Sequence, residues 1–167
     1  LGLGRHKFLL QVEGDGSLVE AFLEVVPRET RLFVSDVDGT LTKGELIEGI
    51  AFIIGKLPWA NDSAAELLQS LAKRGYKPYY LTARSEIQIK RTRGFLAARS
   101  FPNGVVRTSS ADIVGLAGGK AVDYKTGAIR SLQERGFRFS YGFGNTATDA
   151  ESYANTEIPN RYFYKFN

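Results

Sequence analysis

Short apolar runs that suit β-strands open the chain. Two such runs lie within "KFLLQVEGDGSLVEAFLEVV" (residues 7–26) and are joined by a Gly-Asp-Gly turn at residues 14–16. Glycine and aspartate favour the tight turn between antiparallel strands, and Pro27 closes the second run. The pattern predicts a β-hairpin extension at residues 1–30. We expect it to add strands beside a following sheet or to cover one edge of that sheet.

From residue 31 onwards, buried strand-like runs alternate with amphipathic helical segments. Strands are predicted over residues 31–35, 76–82, 104–107, 137–143 and 161–166, and helices over residues 61–75, 84–99, 124–136 and 147–154. Residues 108–121 have the composition of a loop. This alternation predicts an α/β fold: a Rossmann-like parallel sheet flanked by helices, with ligands at the carboxyl ends of its strands. We expect residues 31–167 to form one domain.

The segment between the first two strands of this sheet predicts two helices. Asn61 to Ser63 can cap the start of the helix at 61–75, and Gly75 supplies its C-terminal turn. The earlier run "IEGIAFIIGKLPW" (residues 47–59) predicts a buried or half-buried helix, since it is too short and too charged to span a membrane. We expect Trp59 to pack in the core, with a membrane-interface anchor as the alternative.

Composition places the chain among ordinary globular proteins and excludes some chemistries. Of its 167 residues, 43% are apolar and 24% are charged. Cysteine is absent, which excludes disulfides and thiolate metal sites. The single histidine, His6, lies near the start of the sequence, and this position argues against histidine as a general base.

The net charge of the chain restricts the range of possible binding partners only slightly. A net charge of +4 favours anionic partners such as phosphates, acidic lipid headgroups or nucleic acid, but by itself it is better explained by a solvated basic surface. The sequence begins at Leu1 and contains no methionine, so a removed leader is compatible with it. We expect a cytoplasmic or peripheral-membrane location.

Two aspartates, Asp36 and Asp38, follow the predicted strand at residues 31–35 and lie one residue apart. An Asp-x-Asp-Gly segment by itself is typical of a plain turn, and Gly39 allows the chain to turn sharply. Carboxylates this close repel each other unless a positive charge lies between them. Mg²⁺ is usually held by one or two carboxylates together with water and phosphate oxygens, so a bound Mg²⁺ accounts for the pair.

Further polar residues occur, in order, at the ends of later strands. Thr82 ends the second strand, Lys125 opens a predicted helix, and the strand after that helix leads into "GNTATD", with Asn145 and Asp149. In an open parallel sheet these positions converge although they are distant in sequence. Each feature alone has an ordinary structural explanation. Their combination and order favour a phosphoryl-transfer site.

Residue chemistry assigns a role to four of these side chains. Asp36 is placed to act as a nucleophile that forms an aspartyl-phosphate. Asp38 can protonate the leaving oxygen and later activate water. Thr82 and Lys125 would bind the transferring phosphoryl oxygens, and the metal would neutralise further charge.

The segments "DVDGTLT", "YLTAR", "YK" and "GNTATD" resemble the four motifs of the haloacid dehalogenase superfamily of phosphohydrolases. The longer segments "LTARSEIQIKRTRGFL" and "GFGNTATDAESY" resemble the catalytic domain of lipin-type phosphatidate phosphatases. They are equally similar to the C-terminal domain of membrane-associated phosphatidylinositol transfer proteins. The resemblance implies a haloacid-dehalogenase-like catalytic domain at residues 31–167. It also implies either a Mg²⁺-dependent phosphatidate phosphatase or a domain that binds phosphatidic acid without hydrolysing it.

The resemblance also implies roles for individual residues. Asp36 would be nucleophile and metal ligand, and Asp38 would be acid/base and supply a backbone carbonyl to the metal. Asn145 would be a direct metal ligand, and Asp149 would support the metal or its water. We add Arg84 and Arg93 as lipid-headgroup contacts, since guanidinium groups match phosphate geometry, although surface arginines on a basic helix explain them equally well.

Two further expectations concern the substrate. The segments between the motifs are too short for a large cap domain, and an open site suits a large or membrane-presented substrate. Binding-only relatives tend to lose the first acidic residue, whereas this chain keeps Asp36. We therefore expect an enzyme acting on an anionic phospholipid with peripheral membrane contact and no nucleic-acid partner. A lipid-sensing module and a phosphatase of a soluble or protein substrate remain the alternatives.

Overall fold

The computed structural model describes residues 1–43, 57–110 and 115–164. Strands β1 (Gly4–Gln11) and β2 (Leu18–Val25) pair antiparallel, with Gly4 opposite Val25 and Gln11 opposite Leu18. This confirms the predicted hairpin. The two strands form a sheet of their own, so of the two expected placements the first, as added strands of the main sheet, is wrong. Strand β2 instead faces residues 89–97 and 101–106, at one edge of that sheet, across a cavity.

The main sheet has five parallel strands, which confirms the predicted fold class. Its strands are β3 (Arg31–Ser35), β4 (Lys77–Ser85), β5 (Val105–Ser109), β6 (Arg138–Gly144) and β7 (Asn160–Phe163), in the order β5-β4-β3-β6-β7. The chain leaves β3 to form β4 on one side and later returns to form β6 on the other. The carboxyl end of β3 is therefore a topological switch point, where open α/β sheets bind ligands.

Four α-helices and one short helical turn connect these strands within the described residues. They are α1 (Ala64–Lys73), a 3₁₀ turn (Glu86–Gln88), α2 (Ile89–Ala98), α3 (Gly118–Gln133) and α4 (Ala147–Asn155). In the described residues, no helix is long and apolar enough to cross a membrane.

Alternating side chains of β3 divide the core between the two faces of the sheet. Phe33 packs on one face with residues of α1 and α2 such as Leu68 and Phe95, and all three are almost fully buried. Leu32 and Val34 pack on the other face with residues of α3 and α4. Such near-continuous burial is typical of the central strand of a parallel sheet, and it fixes the end of β3 rigidly.

Several predicted boundaries differ from the structure. Helix α3 begins at Gly118, within the segment predicted as a loop, so Lys125 lies in the middle of a helix and does not open one. Buried Ala121, Val122 and Ile129 stabilise this helix despite the two glycines at its start. Strand β4 extends to Ser85, which places Arg84 in a strand where a helix was predicted.

Two local predictions also need correction. The N-cap position of α1 falls on Ser63, within the predicted range Asn61 to Ser63, but no side chain makes a capping hydrogen bond there. Trp59 is not in the core: 65% of it is exposed, and the Arg99 guanidinium lies 4.7 Å from its ring centroid. The helix predicted at residues 47–59 lies mostly outside the described residues, as do parts of both segments on which the absence of a large cap was argued.

Candidate active site

The acidic loop that follows β3 is a tight turn anchored at several points. The Asp36 amide donates a hydrogen bond to the Phe143 carbonyl of β6 at 2.9 Å. Gly39 has φ 75°, a left-handed conformation that glycine adopts without strain. Its amide donates to Oγ1 of Thr42 at 2.9 Å. These contacts hold Asp36 and Asp38 at the carboxyl end of the sheet.

Asn61 fastens the same loop from a distant part of the chain. Its Nδ2 donates to the carbonyl oxygens of Gly39 at 3.2 Å and Thr40 at 2.8 Å. The Asn61 amide also donates to the Leu41 carbonyl at 2.8 Å. Asn61 is 5% exposed, so these bonds satisfy carbonyl groups that would otherwise be left buried and unpaired.

A buried lysine joins two carboxylates at the centre of the site. Nζ of Lys125 donates to Oδ1 of Asp36 at 2.7 Å and to Oδ1 of Asp149 at 2.5 Å. All three side chains are at least 95% buried. The α3 and α4 helices, on one side of the sheet, thus supply two of the partners, while the end of β3 supplies the third. The single positive charge lies between two negative charges.

Asp149 also organises the loop that carries Asn145. Its Oδ2 accepts hydrogen bonds from the amides of Asn145 and Thr146, each at 3.1 Å, and from the Thr146 hydroxyl at 2.8 Å. Together with the bond from the Asp149 amide to Thr146, these contacts form a capping box at the start of α4. A Cβ on Gly144 would lie 2.5 Å from the Asp149 Cβ, so glycine is required there.

Thr40 links two oxygen atoms of the site through its hydroxyl group. Its Oγ1 lies 3.1 Å from Oδ2 of Asp36 and 3.0 Å from Oδ1 of Asn145. The Asp36 carboxylate and the Asn145 amide oxygen therefore converge on one point. Both are hard oxygen donors of the kind that Mg²⁺ prefers.

Asp38 faces a separate pair of partners on β4. Its Oδ2 accepts a hydrogen bond from the Thr82 hydroxyl at 2.7 Å, and its Oδ1 pairs with the Arg84 guanidinium. The Arg84 amide in turn donates to Oγ1 of Thr82 at 3.1 Å. The carboxylate is therefore oriented from two sides while its side chain stays 25% exposed, which leaves it open to a substrate or to water.

Burial and neighbouring charges together raise the pKa values of both Asp36 and Lys125. The pKa of Asp36 is raised to about 7, because the effect of burial, with smaller contributions from the Asp149 and Asp38 charges, exceeds the lowering by Lys125. Burial alone would lower the pKa of Lys125. The carboxylates of Asp36 and Asp149 more than offset that effect, so its pKa lies above the ordinary value and the lysine stays charged.

The structure brings together seven of the eight predicted site residues. Asp36, Lys125, Asp149 and Asn145 form one hydrogen-bonded network through Thr40, and Asp38, Thr82 and Arg84 form a second beside it. Arg93 lies elsewhere. Its guanidinium is 5.3 Å from the Phe22 ring of the hairpin, beside the cavity between β2 and α2. The helix that follows the 3₁₀ turn carries it away from the acidic loop, so this placement does not support a headgroup contact.

Sequence reasoning missed three residues that shape the site: Thr40, Asn61 and Gly144. Thr40 stands four residues after Asp36, and the spacing alone could have suggested a bond back to that carboxylate. Asn61 acts by donating to backbone carbonyl groups, and Gly144 acts by leaving room for the Asp149 side chain. No motif of charged residues indicates either role.

The fold itself is shared with solved structures of other proteins. A class C acid phosphatase from Bacillus anthracis superimposes with a TM-score of 0.57 over 82% of this chain and 67% of that chain, at 15% identity. A chain of the Pnkp1/Rnl/Hen1 complex superimposes with a TM-score of 0.64 over 83% of this chain and 47% of that chain, at 14% identity. The chain has the haloacid-dehalogenase-like fold, as the sequence motifs predicted.

Sequence comparison then identifies the family. Residues 2–167 match the LNS2 (Lipin/Ned1/Smp2) domain, and the chain belongs to this family. It is 30% identical to Phosphatidic acid phosphohydrolase 1 of Saccharomyces cerevisiae, over 100% of this chain and 22% of that protein. It is 29% identical to Phosphatidate phosphatase PAH1 of Arabidopsis thaliana, over 83% of this chain and 17% of that protein. It is also 29% identical to Membrane-associated phosphatidylinositol transfer protein 2 of Mus musculus, over 64% of this chain and 8% of that protein. The chain thus spans less than a quarter of the length of each.

Proposed function

We propose that this protein is a Mg²⁺-dependent phosphatidate phosphatase that works through an aspartyl-phosphate on Asp36. The observation that carries the proposal is the buried Asp36 carboxylate, held by Lys125 and adjacent to an oriented, partly exposed Asp38. These residues can serve as nucleophile, charge-stabilising cation and proton donor, the groups used when a phosphomonoester is hydrolysed through a covalent intermediate.

The donor atoms present suit a magnesium ion. In the described residues, no three histidine, cysteine or acidic side chains are grouped as a metal site. Mg²⁺ does not need such a cage, because it is commonly held by one or two carboxylates with waters and substrate oxygens. Asp36 and Asn145, whose oxygens converge near Thr40, would hold it, together with the backbone carbonyl of Asp38. When bound, the ion would neutralise charge on the phosphoryl group.

Asp149 enters this proposal as a positioning residue. Both of its carboxylate oxygens accept hydrogen bonds from protein groups, one from Lys125 and the other from the Asn145 loop. Its support of the metal would therefore be indirect, through the orientation of Asn145 and the fixed place of Lys125.

In the first step, a carboxylate oxygen of Asp36 attacks the phosphorus atom. The bond between phosphorus and the ester oxygen breaks, and Asp38 transfers its proton to that oxygen, which leaves as an alcohol. Lys125 has three N–H donors, of which two bind Asp36 and Asp149, and we assign the third to a phosphoryl oxygen. Thr82 orients Asp38 and is our candidate for a second phosphoryl contact.

In the second step, water attacks the phosphorus atom of the aspartyl-phosphate. Asp38, now ionised, takes a proton from that water, and the bond between phosphorus and the Asp36 oxygen breaks. Inorganic phosphate leaves, the Asp36 carboxylate is restored, and Asp38 is protonated again. The Arg84 guanidinium pairs with the ionised form of Asp38, and we assign it the role of orienting this carboxylate when it takes the proton from water.

The relatives support a phospholipid substrate. Two of those described above carry phosphatidate or phosphatidic acid in their names, and a third is named for phosphatidylinositol transfer. We infer phosphatidate as the substrate and peripheral contact with a membrane as the setting. The division into a hairpin extension at 1–30 and a catalytic domain at 31–167, and the lack of a nucleic-acid partner, remain predictions.

Phosphate release from phosphatidate in detergent micelles tests the proposal. With Mg²⁺ we expect release that EDTA abolishes and that Asp36→Asn lowers by several orders of magnitude, because the nucleophile is lost. Asp123→Asn is the matched control, since Asp123 is an exposed carboxylate of α3 and its loss should leave release unchanged.

Either of two results would contradict the proposal. If the protein binds phosphatidate but releases no phosphate from it or from para-nitrophenyl phosphate, it is a lipid-binding module. If it hydrolyses soluble phosphomonoesters faster than phosphatidate in mixed micelles, the substrate assignment is wrong although the chemistry stands.

A further inference from the structure

An apolar groove of about 670 Å³ opens beside the acidic loop. One wall is formed by α1, with Leu67, Leu68 and Leu71, and the other by aromatic rings of the last two strands of the sheet. We call it the aromatic groove. Its rings lie in near-parallel succession: Tyr141 to Phe143 with centroids 6.5 Å apart, and Phe143 to Tyr162 at 5.6 Å, both at 17°.

The groove is continuous with the candidate active site. Thr40 and Gly144 line its upper end, and Thr40 is the residue whose hydroxyl bonds to Asp36. Gly144 immediately precedes Asn145 at the end of β6. From this end the groove runs along α1, whose ten residues span about 15 Å, and Arg74 lies at the far end of that helix.

The order of polar and apolar groups along the groove suits a molecule with a phosphate at one end and a hydrocarbon chain at the other. Charged and hydroxyl groups that suit a phosphoryl group lie at one end, and leucine and aromatic side chains follow. Leu67 and Tyr162 remain 50% and 55% exposed on these walls. A soluble sugar phosphate would leave this surface unused, whereas a phosphomonoester attached to a hydrocarbon chain would cover it.

We propose that the aromatic groove binds an acyl chain of the phospholipid while its phosphate occupies the site at Asp36. The inference rests on the proposed phosphatidate phosphatase function and goes beyond it, since it assigns a separate binding surface for the lipid tail. It predicts that the enzyme discriminates between substrates by chain length even when they are dissolved as monomers and no membrane is present.

The test compares dibutanoyl- and dioctanoyl-phosphatidate at concentrations where both are monomeric. Full burial of one methylene favours binding about fourfold, so partial burial of the extra methylenes should raise kcat/KM for the longer lipid about tenfold. Leu67→Gln keeps a good helix former at a half-exposed position of α1 and makes that wall polar. We expect it to lower the dioctanoyl-to-dibutanoyl ratio at least about threefold. A ratio is independent of the fraction of folded protein.

Leu9→Gln is the matched control. Leu9 is 60% exposed on strand β1 of the hairpin, away from the groove, so its substitution removes a similar exposed leucine and should leave the ratio unchanged. A lowered ratio in Leu67→Gln alone supports the groove. A ratio near one in the unsubstituted protein, or one that Leu67→Gln leaves unchanged, overturns it while the phosphatase function stands.

Failure of the proposed function gives a different pattern. If neither lipid is hydrolysed, calorimetric titration with the same two lipids decides the groove independently of turnover. Tighter binding of the dioctanoyl lipid that Leu67→Gln weakens would support the groove in a lipid-binding module. Equal affinity for the two lipids would overturn it.

Discussion

Replacing Lys125 with methionine is the most direct test of the buried network at the centre of the site. The Lys125 ammonium lies between Asp36 and Asp149, at 2.7 and 2.5 Å, and all three side chains are almost completely buried. Methionine has a similar length and fills the space but supplies no charge and no donor. Two buried carboxylates would then face each other without a counter-ion.

The expected loss follows from the cost of leaving buried charge uncompensated. Breaking a buried ion pair by removing one partner costs about 3–5 kcal/mol. A globular domain has about 5–15 kcal/mol of unfolding free energy in total, so the variant should fold but with a much smaller margin. For a chain of this size, that loss corresponds to a melting temperature lower by roughly 6–20 °C.

Urea unfolding at neutral pH in EDTA measures this loss without interference from bound metal. Lys120→Met is the matched control, because Lys120 is an exposed lysine of the same helix and its replacement should change the unfolding free energy by less than about 0.5 kcal/mol. Adding Asp149→Asn to Lys125→Met should restore part of the loss, with a coupling of about 0.5–3 kcal/mol. A loss below about 1 kcal/mol for Lys125→Met, or strict additivity in the double variant, would refute the reasoning.

Three further substitutions test the framework around the site. Gly144→Ala should cost about 1–3 kcal/mol of unfolding free energy in the same urea titration, because its Cβ would lie 2.5 Å from the Cβ of Asp149. The control is Gly127→Ala: Gly127 is exposed in α3 with open space around it, so the substitution should be neutral or stabilising. Asn61→Ala should cost about 1–3 kcal/mol and lower kcat, since two carbonyls of the acidic loop lose their donor; full stability would contradict this. Tyr153→Phe should cost about 1 kcal/mol, as its buried hydroxyl donates to the Phe143 carbonyl at 2.9 Å, and an unchanged melting temperature would argue against that bond.

The charged part of the site could be predicted from sequence because the fold gathers strand ends at one edge. Asp36, Lys125 and Asp149 are far apart in the chain, yet parallel strands on both sides of β3 bring them within hydrogen-bond distance. Placing each residue near a strand end was enough for this. The error in the start of α3 did not matter, because Lys125 remained in the correct crossover between β5 and β6.

The neutral framework of the site could not be predicted in this way. Asn61 reaches the loop at Gly39 and Thr40 across more than 20 residues, and its sequence context indicated a helix cap instead. The cap prediction used local chemistry, but Asn61 saves more free energy by satisfying two buried carbonyls than by capping a solvent-exposed helix start. Whether the Asn61 side chain bonds to a neighbouring helix start or to a distant loop depends on tertiary packing, which cannot be read from a single sequence.

The two arginines proposed from sequence show why element boundaries decide a site. Arg84 and Arg93 lie nine residues apart and were assigned the same role on one helix. Because β4 continues to Ser85, Arg84 stays at the sheet edge beside Asp38. The chain then turns through the 3₁₀ segment, and α2 directs Arg93 towards Phe22 of the hairpin. A shift of a few residues in one boundary thus separates a site residue from one that contacts the hairpin.

Asp149 makes stability and chemistry inseparable at this site. One carboxylate oxygen holds Lys125, and the other closes the capping box of α4 and fixes the amide of Asn145. Gly144 must lack a side chain for this carboxylate to fit. Loss of activity in an Asp149 variant therefore cannot by itself assign Asp149 a chemical role, because the same change removes a helix cap, an ion pair and the support of Asn145. These contributions are separated by comparing, for the same variants, the coupling energies measured in unfolding with the losses in kcat/KM. A purely structural role predicts that stability and kcat/KM fall together.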